Sequence, residues 1–351
     1  MEHSHTTVTQ LLQLFDSSYP DQEEGTRYMR HLAFAQFVAV CGDCTLDAFS
    51  LAQCEAYRAA LLGGFTPTTA EELSRLNQLP SRARQGLIAG FAPVTAASYL
   101  KMIRRPFRWW QVRQRTFCDY WSQLPAIKVP RKTVRVYNDD RLASLLTAAQ
   151  RVEDGGLTAA RVLVMATAGL RRAEAQQLCE QDIDFAAGTI TVQPHAETGT
   201  TWAWCPKDRD CRTVPLVEQA RDVLLARRKE LSKEQPYLLL SADRCAYLMW
   251  MRSRGRLTNR MRKCPDENWR PFRRVRELAG TAGLSQKHLR STFATNCLRD
   301  GIDLRSVQAL MGHSDIATTE KCFAPDNGAM EKARSVGAAR LNRLQLAKTG
   351  A

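Results

Sequence analysis

Residues 125–137 read Pro-Ala-Ile-Lys-Val-Pro-Arg-Lys-Thr-Val-Arg-Val-Tyr, a stretch that no regular helix can cross. Two prolines this close remove backbone donors and push the residues before them into extended conformations. The 351-residue chain is thereby divided into segments 1–124 and 138–351, each long enough for a core of its own. The connection also carries Lys128, Arg131, Lys132 and Arg135. Such a stretch is either a solvated linker or a strap along a phosphate backbone, with Arg131 and Lys132 as contacts.

The first segment has only helical periodicity. Val8, Leu11, Leu12 and Phe15 fall on one face of a predicted helix, and Leu32, Phe34, Phe37 and Val38 mark a second over 29–40. A third is predicted over 48–62 with Asp47 as its cap. A fourth, aromatic and basic, is predicted over 93–124 with a break or kink at Pro106. Residues 63–90, rich in Gly, Thr, Pro and Arg, read as a loop with a short helix. After Asn138 the pattern changes. Helices are predicted over 139–151 and 157–168, short strands over 188–192 and 212–216, and helices again from 217 onward. The expected architecture is mainly α in two domains, an all-α domain followed by an α+β one.

Charge narrows the class of partner. Fifty Lys and Arg against 36 Asp and Glu give a formal charge of +14, which on a chain of globular composition points to a polyanion, with nucleic acid foremost. No apolar run approaches the roughly 20 residues that cross a bilayer. The opening Met-Glu-His-Ser-His-Thr-Thr lacks the parts of a signal peptide, so a cytoplasmic protein with no membrane partner is expected. Eleven cysteines are then expected to be mainly free thiols. Cys41-Gly-Asp-Cys44 has metal-ligand spacing and Cys205 and Cys211 could lend a pair, but nothing completes a site; no metal and no cofactor is expected.

Four short segments of the second part carry the chemistry. In Ala166-Thr-Ala-Gly-Leu-Arg-Arg-Ala-Glu174 an apolar helix ends at Gly169 and another begins with Arg171, whose stem Glu174 can hold at i, i+3. Pro206-Lys-Asp-Arg-Asp-Cys-Arg-Thr-Val-Pro215 puts Lys207 in the turn before a strand. Lys287-His-Leu-Arg290 opens a helix running through Phe293 and Cys297. In Leu310-Met-Gly-His-Ser-Asp-Ile-Ala-Thr-Thr-Glu-Lys-Cys322, Gly312 ends a helix and His313 follows in the connection. Each has a plain reading by itself: Arg171 in a helix-start ion pair, Arg290 on a buried carbonyl, Lys207 solvated, His313 beside a cap.

Together, in this order, they resemble the tyrosine recombinase (phage integrase) family. Leu289-Arg290, Thr292-Phe-Ala-Thr295, Gly301 and Gly312-His313 reproduce that family's second box without insertion. The resemblance implies an all-α, SAM-like core-binding domain over 1–124, a basic linker over 125–137, and an α+β catalytic domain with a small antiparallel sheet over 138–351. Metal-free transfer of a phosphodiester between hydroxyls needs fixed cations on the non-bridging oxygens, and guanidiniums supply them with two parallel donors each. By resemblance Arg171 and Arg290 take that role, Lys207 protonates the departing 5′ oxygen, and His313 hydrogen-bonds the scissile phosphate. The partner implied is double-stranded DNA, bound by homo- or hetero-oligomers on paired sites, and the setting is the bacterial nucleoid.

Two positions depart from the family pattern. The histidine of its HxxR motif aligns with Lys287, while His288 lies about 100° round the helix. Lysine at Lys287 keeps a permanent cation where imidazole would titrate. The nucleophilic tyrosine, nine residues after His313, is replaced by Cys322, and the last tyrosine in the chain is Tyr247. Arginines would favour a Cys322 thiolate, but its sulfur lies several ångströms nearer the backbone than a phenolic oxygen. Three functions follow: a recombinase-fold DNA binder unable by itself to form the 3′-phosphotyrosine link, an active strand transferase using Cys322 or a partner's tyrosine, and a non-catalytic architectural or regulatory DNA-binding protein.

DNA contacts are expected beyond that site. Residues 251–276 are the densest basic stretch, with Arg252, Arg254, Arg256 and Arg260 among its cations and Trp269 and Phe272 interrupting it. Arg104, Arg105 and Arg108, within the aromatic-basic stretch 99–120, are expected to be the first domain's counterpart, the two forming a clamp round the duplex. The basic, apolar-striped stretch 329–346 packs either on its own domain or on a neighbouring protomer.

Overall fold

The computed structural model describes residues 5–130, 134–154, 156–207, 211–232, 234–265 and 269–312. The chain divides into two compact units, residues 1–131 and 132–351. The helix content and a small antiparallel sheet match the expected fold class.

The first unit contains α1 (Val8–Ser17), α2 (Glu24–Cys41), α3 (Leu51–Gly63), α4 (Ala70–Asn77), α5 (Ser81–Ala89) and α6 (Pro93–Arg113). Thr7 starts α1 by a reciprocal cap: its backbone N–H donates to Gln10 Oε1 at 2.9 Å and its hydroxyl accepts from Gln10 N. Several elements differ from the sequence expectation. α3 begins at Leu51 rather than 48, because Ser50 N donates to Gln53 Oε1 and displaces Asp47 from the cap position. Residues 63–90 hold two helices; Thr69 and Glu72 cap α4 by the same reciprocal pattern, a signal that loop-like composition conceals.

α6 runs through Pro106 without a break and stops at Arg113, well short of 124. Phe107, Trp110 and, from a following 3₁₀ turn over Tyr120–Gln123, Trp121 are buried with Phe37, Phe49 and Tyr57 in one aromatic core. Trp121 lies edge-on to Phe37, Tyr57 and Phe107, with centroids 5.8–6.1 Å apart. The aromatic residues of 99–121 thus build or line the core, while Lys101, Arg105, Arg108 and Arg113 of α6 face outward.

The second unit contains α7 (Asp139–Gln150), α8 (Leu157–Ala168), α9 (Arg172–Gln177), β1 (Ile183–Asp184), β2 (Thr189–Val192), β3 (Arg212–Pro215), α10 (Glu218–Glu230), α11 (Ala242–Ser253), α12 (Asn259–Lys263), α13 (Trp269–Leu278), α14 (Gln286–Arg299) and α15 (Leu304–Met311). β2 pairs antiparallel with β1 and β3, with Ile183 opposite Ile190 and Ile190 opposite Val214. Period-2 alternation buries Ile190 and Val192 on β2, and Arg212 and Val214 on β3. Buried α8 forms the centre of this unit, packed on α7, α10 and α14. Tyr137, at the end of the proline-rich connection, is buried there and its N–H donates to Thr292 Oγ1 on α14 at 2.8 Å.

Gly169 ends α8 with φ +62°, and a Cβ there would overlap the Phe293 ring. Gly169→Ala is expected to lower stability by about 1–3 kcal/mol, since left-handed strain and a clash in a packed site add. A urea midpoint equal to wild type would contradict this.

Candidate active site and DNA-binding surface

Glu174 is the centre of the site. It stands in the first turn of α9, 4% exposed, and three arginines reach it, Arg171 from the same turn and Arg212 and Arg290 from distant parts of the chain. Arg171, at the N-cap, donates from its backbone N to Glu174 Oε2 at 2.7 Å and from Nη1 to Oε1 at 2.8 Å, the i, i+3 contact expected from the spacing. Arg212 binds both carboxylate oxygens, Nη1 to Oε1 at 3.1 Å and Nη2 to Oε2 at 2.5 Å. Arg290 Nη1 lies 3.8 Å from Oε2. Burial by itself would raise the Glu174 pKa. The Arg212 hydrogen bonds and the charges of Arg212, Arg290 and Arg171 outweigh it and hold the group at about 2.

The same arginines hold the end of α15. Arg212 Nε donates to Leu310 O at 2.9 Å, Arg290 Nη2 to Met311 O, and Arg171 Nη2 to Gly312 O at 3.1 Å. Three successive carbonyls at a helix C-terminus, which carry partial negative charge, are thus met by three cations. Gly312, with φ +58°, turns the chain there, and a Cβ on it would come within 2.9 Å of Arg212 Cδ. Arg290 also donates through Nη1 to Gly169 O at 2.7 Å, which ties the two glycine-ended helices together.

Arg171, Arg290 and the Gly312 turn that precedes His313 are therefore brought together. His313, Cys322 and the stretch 329–346 lie outside the described residues. Lys207 is exposed on the connection between β2 and β3, and among the described residues it makes no hydrogen bond or ion pair. Lys287 is exposed at the start of α14, beside an open pocket lined also by Arg172, Arg273, Arg276 and Phe272. His288 belongs to the cap of α14: its Nδ1 accepts the Ser285 N–H at 2.7 Å. Burial, then the charges of Lys287 and Arg135, lower its pKa, which keeps that nitrogen an acceptor.

Sequence reasoning placed Arg212 at the start of a strand but assigned it no role. The signal was the strand alternation: Val214 faces inward, so the residue two before it does too. An inward arginine needs an acid, and Glu174 is it.

The outer cations divide. Arg104, Arg105 and Arg108 line a shallow pocket on α6 with Lys101, Leu100 and Ile127. Arg104 and Arg108 also face Asp119, whose pKa burial raises. Residues 251–276 form parts of three short helices rather than one. Arg254, Arg256 and Arg260 are exposed, Arg254 lying 5.0 Å over the Trp250 ring. Arg252 instead lies half-buried against a neighbouring turn, donating from Nε to Glu197 Oε1 and from Nη1 and Nη2 to the carbonyls of Thr201 and Thr198. Arg131 and Lys132 lie outside the described residues.

Cys179, Asp182 and His195 are buried with candidate ligand atoms within 4.8 Å of one another. Hydrogen bonds already occupy the group: His195 Nε2 lies 2.9 Å from Asp182 Oδ2, and Cys179 N donates to the same oxygen at 2.8 Å. Cys41 and Cys44 are partly buried free thiols, with Cys41 donating to Gln53 O.

Known proteins place this arrangement in context. The chain is 29% identical over 204 residues to tyrosine recombinase XerA of Thermococcus kodakarensis, covering 58% of this chain and 62% of that protein. It is 34% identical over 154 residues to tyrosine recombinase XerC of Oceanobacillus iheyensis, covering 43% of this chain and 44% of that one. The aligned parts thus span less than two thirds of these relatives. The Tn1549 transposon integrase, solved in complex with circular intermediate DNA, shares the fold with a TM-score of 0.63 at 17% identity, over 94% of this chain and 99% of that one. Residues 135–327, more than half of the chain, match the Phage integrase family, to which this protein therefore belongs.

Proposed function

We propose that this protein binds double-stranded DNA and holds a scissile phosphate for metal-independent, site-specific strand exchange, and that Cys322 leaves it unable by itself to form the phosphotyrosine link. The observation that carries this reading is the charge balance at Glu174. Among the described residues one carboxylate faces three guanidiniums, a local surplus of positive charge. A phosphodiester that gains charge as its phosphorus becomes pentavalent is the ligand such a surplus suits. In this reading Arg171 and Arg290 are catalytic residues that bind the non-bridging oxygens, whereas Arg212 stays on Glu174. Lys287 adds a fixed positive charge and His313 a hydrogen bond to the phosphate.

In the strand-transfer step a nucleophile forms a bond to phosphorus as the bond to the 5′ oxygen breaks, and that oxygen takes its proton from the Lys207 ammonium. Attack by a 5′ hydroxyl of another strand reverses the step and releases the protein. Arg104, Arg105, Arg108, Arg254, Arg256 and Arg260, with Arg131 and Lys132 in the connection, supply phosphate contacts along the duplex. Assembly on paired sites belongs to the same proposal.

A suicide substrate, a duplex nicked just beyond the cleavage position, tests the reading. No covalent protein–DNA adduct is expected from the natural chain, and an adduct is expected from Cys322→Tyr. An adduct from the natural chain that disappears in Cys322→Ser would show that the thiol attacks. Tight DNA binding with no adduct from either would favour a non-catalytic architectural role, for which the absence of any tyrosine after Tyr247 speaks.

A further inference from the structure

The connection from Gln193 to Lys207 is built as a supported arm. At its base His195 and Trp204 exchange backbone hydrogen bonds of 2.9 and 3.1 Å. Trp202 is fully buried, stacked on Tyr237 with centroids 4.1 Å apart and an interplanar angle of 19°. Its Nε1 donates to Gln177 Oε1 at 3.1 Å, and its backbone N to the Tyr237 hydroxyl at 3.1 Å. The turn between the two limbs is closed by Thr198 N on Thr201 O at 3.0 Å. Lys207 lies three residues beyond Trp204.

Arg252 clasps the turn from α11. Nε donates to Glu197 Oε1 at 3.1 Å, Nη1 to Thr201 O at 3.0 Å and Nη2 to Thr198 O at 2.5 Å. Arg262 of α12 donates to the other Glu197 oxygen at 3.1 Å. A guanidinium grips a phosphate through two parallel N–H groups on neighbouring nitrogens. Here three of the five N–H groups, one on each nitrogen, are already given to a carboxylate and two carbonyls, so the turn fixes the plane of the guanidinium.

We infer that Arg252 is a positioning residue for the arm that carries Lys207, with Glu197 as the counter-ion it shares with Arg262, and is not a contact to DNA phosphates. The functional half rests on the reading of Lys207 as the proton donor; the structural half stands without it. A lysine that must reach one departing oxygen tolerates little displacement, and misplacement by about 1 Å costs on the order of 100-fold in rate. Trp202 fixes the arm at one place. Arg252 adds a second, separate hold, which removes rotation about the first.

The test uses the full chain. Hydrogen–deuterium exchange over residues 197–206 and the salt dependence of binding to a random-sequence duplex are measured for wild type, Arg252→Gln and Glu197→Gln. Both variants are expected to exchange at least tenfold faster over that segment. Arg252→Gln is expected to leave the slope of log K against log salt unchanged, whereas a lost phosphate contact lowers it by roughly 0.9. A slope lowered by that amount, or unchanged exchange, overturns the inference. If Arg252→Gln does not fold, exchange in Glu197→Gln, which leaves every cation in place, decides it. The functional half is read in the Cys322→Tyr background on a 5′-bridging phosphorothiolate, whose sulfur leaves without a proton. Lys207→Ala and Arg252→Gln should both recover cleavage there. Recovery of Lys207→Ala alone overturns positioning by Arg252; failure of Lys207→Ala to recover sinks the Lys207 reading and leaves the exchange result standing.

Discussion

Glu174→Gln is expected to cost the second unit about 3–5 kcal/mol, the range for removing one member of a buried ion pair. The glutamine keeps the shape of the side chain but leaves Arg171, Arg212 and Arg290 without the charge that offsets their mutual repulsion. The same residue sets a pH dependence. Its folded pKa of about 2 lies below the ordinary 4.5, so its contribution is complete above about pH 4.5 and is lost as pH falls through about 2. That depression corresponds to about 3 kcal/mol. Urea unfolding at pH 6 and pH 2 should show wild type losing about 3 kcal/mol more than Glu174→Gln over that interval. Equal losses in the two proteins would remove Glu174 from the centre of the site.

Arg290→Ala, introduced into Cys322→Tyr, is expected to reduce strand cleavage by about 100-fold to 1,000-fold or more, as loss of one fixed donor to a developing oxyanion does. Arg290→Lys should recover only part of this, because an ammonium keeps the charge and loses the planar pair of donors. The side chain also satisfies Gly169 O and Met311 O, and two buried carbonyls left unpaired cost about 1–3 kcal/mol each. Cleavage is therefore compared at a temperature where circular dichroism finds both variants folded. DNA affinity should fall far less than rate, since one phosphate among many supplies little of the binding. Rates within threefold of the parent for both variants would rule out Arg290 as a phosphate ligand.

The parts legible in the sequence were those with local causes. Gly169 and Gly312 were readable as helix ends because a left-handed residue is needed there and glycine adopts it without strain. The strands over 189–192 and 212–215 were readable from alternation, and the contact of Arg171 with Glu174 from helical spacing. β1, only two residues long, was not readable, since Ile183 and Asp184 show no period of their own and become a strand only beside β2. The helices within 63–90 were hidden by composition, although Thr69 and Glu72 carried the capping signal.

What the sequence by itself determined is the strongly periodic helices, the proline-rich division between two units, and the order of residue types that resembles the phage integrase family. Those follow from period, capping and spacing, which act over a few residues. Tertiary structure decided what the cations without a local partner do. Arg212 is 38 residues from Glu174, and Arg252 is 55 from Glu197. Strand alternation turns Arg212 inward but does not name its acid, and nothing local distinguishes Arg252 from the exposed arginines beside it. A charged group's role depends on whether its surroundings are water or a buried carboxylate, and that is settled only when distant segments pack.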